Sequence, residues 1–105
     1  MNALKRLLWW LLAGSAGGIN RGRMLEELFQ TPHNANELSK VLELDYKTVR
    51  HHLEILEKNR LVESTGSGYG KVYFPSDMLE GNSEIFREIW GKIGKKQIKK
   101  KGTNR

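Results

Sequence analysis

The feature that most constrains this chain is residues 45–63, DYKTVRHHLEILEKNRLVE, which predict a two-faced helix that runs into a short strand. Asp45 is a favourable N-cap, because its side-chain oxygen can accept a hydrogen bond from a free backbone N–H. Val49, Leu53 and Leu56 recur at helical spacing and predict a buried stripe. The other face carries cations and hydrogen-bond donors in its first two turns, as expected of a helix that enters the DNA major groove.

The neighbouring segments predict a helix-turn-helix followed by a hairpin. Residues 36–42 form a short amphipathic helix, and the three residues 43–45 turn into the next helix. An earlier helix over residues 20–30 is stopped by Thr31-Pro32. Residues 61–74 contain two β-prone segments joined by a glycine-rich loop. The predicted fold class is mainly α with a small β-hairpin, a winged helix-turn-helix with extra N- and C-terminal helices.

The run TVRHHLEILEKNRLVES resembles the ArsR-like winged-helix regulators. Their pattern is a Thr-Val-Ser-Arg/His-His-Leu run, then an apolar pair and a Gly-Leu-Val. Here Arg50 stands for the usual Ser and Arg60 for the usual Gly, and Glu43 occupies a turn where many such proteins have Gly. The resemblance covers roughly residues 20–75, and it implies this fold and DNA binding.

Eight residues are expected to contact DNA: Asn36, Tyr46, Lys47, Thr48, Arg50, His51, Tyr69 and Lys71. Arg50 and Lys47 are predicted to point outward, where Arg can bind guanine O6 and N7 with two hydrogen bonds. Tyr69 and Lys71 lie at the hairpin tip and suit a minor-groove or backbone contact. Tyr46 is left open between reading a base edge and packing at the start of the helix.

No metal, cofactor or catalytic site is predicted. The chain has no cysteine, so thiolate metal sites and redox switching are excluded, and a reducing, cytoplasmic location is indicated. His51 and His52 diverge by ~100° on a helix and cannot share an ion. His52, beside the apolar stripe, is predicted to pack or to contact a phosphate, and His33 is expected to lie in a loop without a role. No Ser/His/Asp set suggests an enzyme.

The basic charge is concentrated at the end of the chain. The net charge is +6, but residues 95–105 carry six cations and no acid, so the other 94 residues balance at zero. Charge alone therefore does not indicate DNA binding by the folded part. The basic tail is predicted to be disordered, and it either attracts phosphates without sequence preference or only raises solubility.

The first 18 residues, MNALKRLLWWLLAGSAGG, predict an apolar helix with leucines at i, i+3, i+4, i+7 and i+8. A secretory signal has a similar outline, but export of a DNA-reading domain makes little sense. The apolar run is too short for a transmembrane helix, which needs about 20 residues. Such a helix must pack on its own domain, on a partner subunit or on a membrane surface.

A matching apolar stripe lies in residues 84–93. In ArsR-like proteins the first and last helices form the dimer interface. The resemblance therefore implies an interface made of Leu8, Trp9, Trp10, Leu11, Leu12, Phe86, Ile89 and Trp90. The alternative is that the two helices pack within one monomer.

Four segments are predicted: an N-terminal apolar helix (1–18), a winged helix-turn-helix DNA-binding domain (19–80), a C-terminal amphipathic helix (81–94) and a basic disordered tail (95–105). The implied function is that of a sequence-specific double-stranded DNA-binding transcription regulator, a cytoplasmic homodimer with no cofactor and no obligatory membrane. The alternatives are a winged-helix protein–protein interaction module and a membrane-associated regulator. The sequence specifies neither an operator nor a small-molecule effector.

Overall fold

The computed structural model describes residues 2–102, with side chains described for residues 2–94. In chain order the elements are α1 (Ala3–Leu12), α2 (Gly18–Gln30), β1 (His33–Asn34), α3 (Ala35–Leu42), α4 (Tyr46–Lys58), β2 (Val62–Thr65), β3 (Val72–Pro75), α5 (Asp77–Glu80) and α6 (Ser83–Gly102). A short 3-10 turn, Gly68–Gly70, joins β2 to β3. The mainly helical fold and the α3–α4–hairpin order confirm the predicted winged helix-turn-helix.

The helices of the helix-turn-helix begin at side-chain caps. At α3 the Asn34 side chain accepts from the Glu37 backbone N–H, and the Glu37 carboxylate accepts from the Asn34 backbone N–H, which makes a capping box. At α4 the Asp45 carboxylate accepts from the backbone N–H groups of Lys47 and Thr48, 3.0 and 3.3 Å away. The predicted N-cap at Asp45 is confirmed.

The ends of α3 and α4 share an unusual backbone conformation. Glu43 has a φ of 54° and Arg60 a φ of 61°, both in the left-handed region. Each is the left-handed residue of a Schellman motif. In this motif the backbone N–H of the next residue donates to the carbonyl five positions earlier: Leu44 N–H to Ser39 O, and Leu61 N–H to Leu56 O. The two helices therefore end at positions that favour glycine, yet each carries a long charged side chain.

The wing, formed by β2 and β3, belongs to a three-stranded sheet whose remaining strand, β1, is very short. β2 and β3 pair antiparallel, with Ser64 opposite Tyr73. β1 pairs with the other edge of β3, placing His33 opposite Tyr73, so the strand order is β1-β3-β2. The expectation that His33 lies in a loop without a role is therefore wrong. Its Nε2 lies 3.2 Å from Glu27 Oε2 and its Nδ1 3.7 Å from Glu37 Oε1, so His33 joins α2 to α3.

Both terminal helices contribute to the core, and α1 packs against α2 and α6 of the same chain. Five residues of the predicted dimer interface are buried within this one chain: Leu8, Leu11, Leu12, Phe86 and Ile89. For these five the interface prediction is corrected to packing within the monomer, because they complete the core over α2. Trp9 and Trp90 are half-buried, whereas Trp10 is 60% exposed.

Glycines in α2 and in the turn before it allow α1, α4 and α6 to approach closely. A Cβ at Gly18 would overlap the backbone carbonyl of Leu12, and one at Gly22 would overlap the indole ring of Trp90. Gly17 has a φ of 81°, and a Cβ there would overlap the imidazole of His52. The small residues that resembled the end of a secretory signal thus have a packing role.

The last helix is longer than predicted. The sequence indicated a helix that ends at residue 94 and a disordered tail, whereas α6 continues to Gly102. Lysine and glutamine are good helix formers, so a lysine-rich extension is compatible with this conformation. Residues 103–105 of the predicted tail lie outside the described residues.

Candidate nucleic-acid interface

Helix α4 has an apolar face and a polar face, as its spacing predicted. Val49, Leu53 and Leu56 are fully buried in the core. The opposite side carries four exposed residues in one row, here called the outer stripe: Lys47, His51, Glu54 and Lys58. The stripe is basic at its start and end and acidic in the middle. Such a surface offers donors and cations to phosphates and one acceptor to a base.

Arg50 lies on the flank of α4 rather than in the outer stripe. It is half-buried, its Nη1 lies 3.2 Å from the Tyr46 hydroxyl oxygen, and its guanidinium lies 5.9 Å from the centre of the Tyr46 ring. The hydrogen bond to Tyr46 is the main reason that the pKa of Arg50 is raised above its ordinary value, with further contributions from Tyr46 and Tyr73. Arg50 was predicted to point outward; in the structure it lies on the flank of α4, where Tyr46 holds it to the side.

The structure places the other predicted contacts at different depths. Lys47, His51 and Asn36 are exposed, and Asn36 lies in the first turn of α3. Thr48 is half-buried. Tyr46 is also half-buried and packs against the core, while its hydroxyl accepts from Arg50.

The wing is attached to α4 through Glu57. The Ser64 hydroxyl donates to Glu57 Oε2 at 2.8 Å, and Lys71 Nζ lies 3.8 Å from Glu57 Oε1. Lys71 Nζ is also 5.6 Å from the centre of the Tyr73 ring, so this predicted contact is half-buried and partly paired. Tyr69, by contrast, is 85% exposed at the tip. The strands of the wing are therefore joined to the last turn of α4.

A buried polar cluster lies behind α4, and the sequence analysis did not identify it. Arg21 of α2 is 3% exposed, and its Nη1 lies 3.2 Å from Nδ1 of His52, which is 6% exposed. Burial, and then the charges of Arg21 and His51, lower the pKa of His52 below its ordinary value. A signal was present in the sequence, because Arg21 falls at helical spacing on the apolar stripe that contains Leu25 and Leu28.

Three further features bear on ligands. In the part of the chain with described side chains, no three acidic or histidine residues converge as a metal site would require. A groove of about 430 Å3 lies between α2 and α6, lined by Glu26, Phe29, Gln30, Phe86, Arg87, Trp90 and Gly91. Over residues 2–102, no helix is long and apolar enough to cross a membrane.

Comparison with known proteins agrees with this architecture. Residues 20–64 match the model of the bacterial regulatory protein, arsR family. Reduced HlyU from Vibrio cholerae is 23% identical, with 84% of each chain covered and a TM-score of 0.60. An ArsR-like transcriptional regulator from Rhodococcus sp. is 19% identical, covering 99% of this chain and 96% of that chain, with a TM-score of 0.58. No curated protein sequence matches the chain significantly. Residues 20–64 of this chain are therefore similar to the arsR family of bacterial regulatory proteins, and the whole chain has the winged-helix fold of ArsR-like regulators.

Proposed function

We propose that this protein is a transcription regulator that binds a specific double-stranded DNA sequence as a homodimer in the cytoplasm. The observation that carries the proposal is the outer stripe of α4, in which Lys47 and His51 are exposed, together with the exposed Tyr69 at the wing tip. A helix of this kind presents its first turns to base edges in the major groove.

The residues of the surface take different proposed roles. Lys47 and His51, at the start of the outer stripe, face base edges, and Glu54 can accept a hydrogen bond from a cytosine amino group. Arg50 reaches a guanine only after it releases Tyr46, so its contribution is reduced by the energy of that hydrogen bond. Tyr69 and Lys71 contact the backbone or the minor groove.

Selection of bound duplexes from a random DNA pool tests the proposal directly. We expect enrichment of one sequence, and we expect affinity for it to fall steeply with salt. Lys47→Ala and Arg50→Ala are then measured on the selected site and on single-base variants, with Lys92→Ala on α6 as a control of equal charge change. A base contact predicts a loss of ~1–3 kcal/mol and relaxed preference at one position, whereas a phosphate contact weakens all sequences alike.

A pool that yields no enriched sequence, combined with affinity that does not depend on salt, would reject DNA reading. That result would favour the alternative of a winged-helix protein–protein interaction module, which has no phosphate contacts to lose.

The proposed homodimer must use surface that the monomer leaves exposed. Trp10 is the strongest candidate, because a tryptophan 60% exposed on the outer side of α1 is flanked there by exposed Ala3, Arg6 and Ala13. Large aromatic side chains are enriched at the centre of protein interfaces. A two-fold dimer would place its half-sites about 34 Å apart, on an inverted repeat.

Sedimentation of the intact chain tests this part of the proposal. We expect a dimer that Trp10→Ala converts to a folded monomer, while Met78→Ala, another exposed apolar residue on a different helix, leaves the dimer intact. A wild-type monomer at micromolar concentration would reject the dimer. If that monomer also co-sedimented with lipid vesicles through Trp10, the surface would belong to a membrane-associated regulator.

A further inference from the structure

Arg21 is a buried cation whose hydrogen-bond partners are all neutral. Its Nε donates to the Leu11 carbonyl at 2.9 Å, and its Nη2 donates to the Ser15 hydroxyl at 2.6 Å and to the Ala16 carbonyl at 2.9 Å. The fourth contact is Nη1 to His52 Nδ1 at 3.2 Å. Four of its five N–H donors are thereby used.

The location of these acceptors explains how the charge is tolerated. The Leu11 carbonyl belongs to the last turn of α1, where carbonyls lack partners within the helix and the helix dipole is negative. Arg21 therefore caps the C-terminal end of α1. The same guanidinium reaches α4, so one side chain joins α1, α2 and α4.

The contact with His52 requires one protonation state. A guanidinium has only donors, so Nδ1 of His52 must accept, and the ring is neutral with its proton on Nε2. Protonation of Nδ1 would remove the acceptor and place two cations 3.2 Å apart. The charged and titratable groups that face His52 are Arg21 from α2 and His51 on α4.

The other side of the imidazole ring lies close to backbone. Gly17, in the turn before α2, lies against the Cε1 and Nε2 side of the imidazole so closely that a Cβ there would overlap it. His52 is thus held on one side by Arg21 and on the other by backbone. His52 follows the exposed His51 and precedes the buried Leu53, so it lies at the boundary between the outer stripe and the core face of α4.

We propose that Arg21 is a positioning residue, which acts through His52 to hold α4 in the orientation that reads DNA. This inference rests on the proposed function. It adds that the end of α1 and the reading helix are joined by a polar link that depends on a neutral His52.

Three variants separate positioning from general stability. All are made in a His51→Gln background, so that only one α4 histidine titrates. Because His51 is itself a proposed base contact, the duplex is selected anew with this parent. His52→Asn keeps an acceptor near the position of Nδ1 but does not titrate. His52→Leu keeps the volume and removes the acceptor. Arg21→Gln removes the charge and the reach to α4. Each is measured for binding to the selected duplex and to an unrelated duplex, with thermal unfolding recorded at the same pH.

At pH 7.5 we expect His52→Asn to bind like its parent. We expect His52→Leu and Arg21→Gln to lose at least about tenfold in preference for the selected duplex. A loss of that size lies within the range by which specific binding exceeds nonspecific binding. The double variant should lose no more than the larger single loss, because both changes break the same contact. As the pH falls below 6.5 and through the lowered pKa of His52, the parent should lose preference while remaining folded, and His52→Asn should not.

The proposal is overturned if the folded His52→Leu and Arg21→Gln proteins keep the full preference, or if the parent and His52→Asn share one pH profile. Nitrogen-15 NMR of the parent gives a check that needs no variant, since a proton on Nδ1 of His52 at pH 7.5 would also overturn it. A wild-type chain that selects no sequence at all would reject the proposed function instead, so the two failures are distinguishable.

Discussion

Arg60→Gly is expected to stabilise the fold, although it removes a large side chain. Arg60 adopts a φ of 61° in the ending of α4. The left-handed conformation costs a residue with a Cβ about 1–2 kcal/mol, which glycine avoids. The greater conformational freedom of glycine in the unfolded chain offsets roughly 0.5–1 kcal/mol of this gain. The net gain therefore lies between about 0 and 1.5 kcal/mol, and its middle value of ~0.75 kcal/mol corresponds to about 3–6 °C in Tm for a domain of this size.

Two controls separate this effect from the loss of charge. Arg60→Ala removes the same charge but keeps the Cβ, so it should give no such gain. Glu54→Gly places glycine on the exposed side within α4, where it should cost about 1 kcal/mol relative to alanine. Urea unfolding and calorimetry at one ionic strength measure all three. If Arg60→Gly and Arg60→Ala had the same stability, or if Arg60→Gly lost as much as Glu54→Gly, the backbone argument would be refuted.

Three further substitutions have expected outcomes with matched measurements. Gly18→Ala should destabilise the fold by about 1–3 kcal/mol, because its Cβ would meet the carbonyl of Leu12. Gly91→Ala has open space around it and should raise the free energy of unfolding by up to about 1 kcal/mol. Calorimetry of both variants checks the two predictions. Asp45→Ala should cost about 1 kcal/mol by urea unfolding, because two backbone N–H groups lose their acceptor. Lys71→Ala should weaken binding to all duplexes alike and lower the salt slope by about one, and an unchanged slope would exclude Lys71 from the phosphate contacts.

The stability of the His52 contact has a pH dependence of known sign. Because the folded-state pKa of His52 lies below its ordinary value of 6.5, the folded protein binds fewer protons than the unfolded chain below that pH. Its contribution is fully present above pH 6.5 and is lost as the pH falls towards the folded pKa. The free energy of unfolding should therefore decline more steeply below pH 6.5 in wild type than in His52→Asn. Equal slopes would contradict the assignment.

The parts of the fold that local sequence determines could be predicted from the sequence. Asp45 caps α4, Val49 and Leu53 face the core, and the glycine-rich segment turns between two strands, because capping, helical spacing and turn chemistry act over a few residues. β1 was not predictable in this way. A strand of two residues has no alternation to detect, and His33 pairs with Tyr73 only because the wing folds back beside α2.

The candidate site shows the same division. That α4 has an outward face followed from its spacing, but that Tyr46 holds Arg50 on the flank depends on rotamers, which spacing does not determine. The terminal helices were recognised as apolar, yet burial of Leu8 and Ile89 within one chain depends on how closely α1 and α6 approach α2. That approach depends on glycines whose importance appears only once three helices are in place.

Those glycines limit how freely parts of this protein can be exchanged with those of relatives. Gly17, just before α2, meets α4, and Gly18 and Gly22 within α2 meet α1 and α6, so these three helices approach the α2 region at positions without a side chain. A grafted α3–α4 unit from another ArsR-like protein would bring its own residue in place of His52, and that residue must fit against Gly17 and Arg21 of the recipient. The α3–α4 units of such proteins are therefore expected to be exchangeable only when α2 is transferred with them.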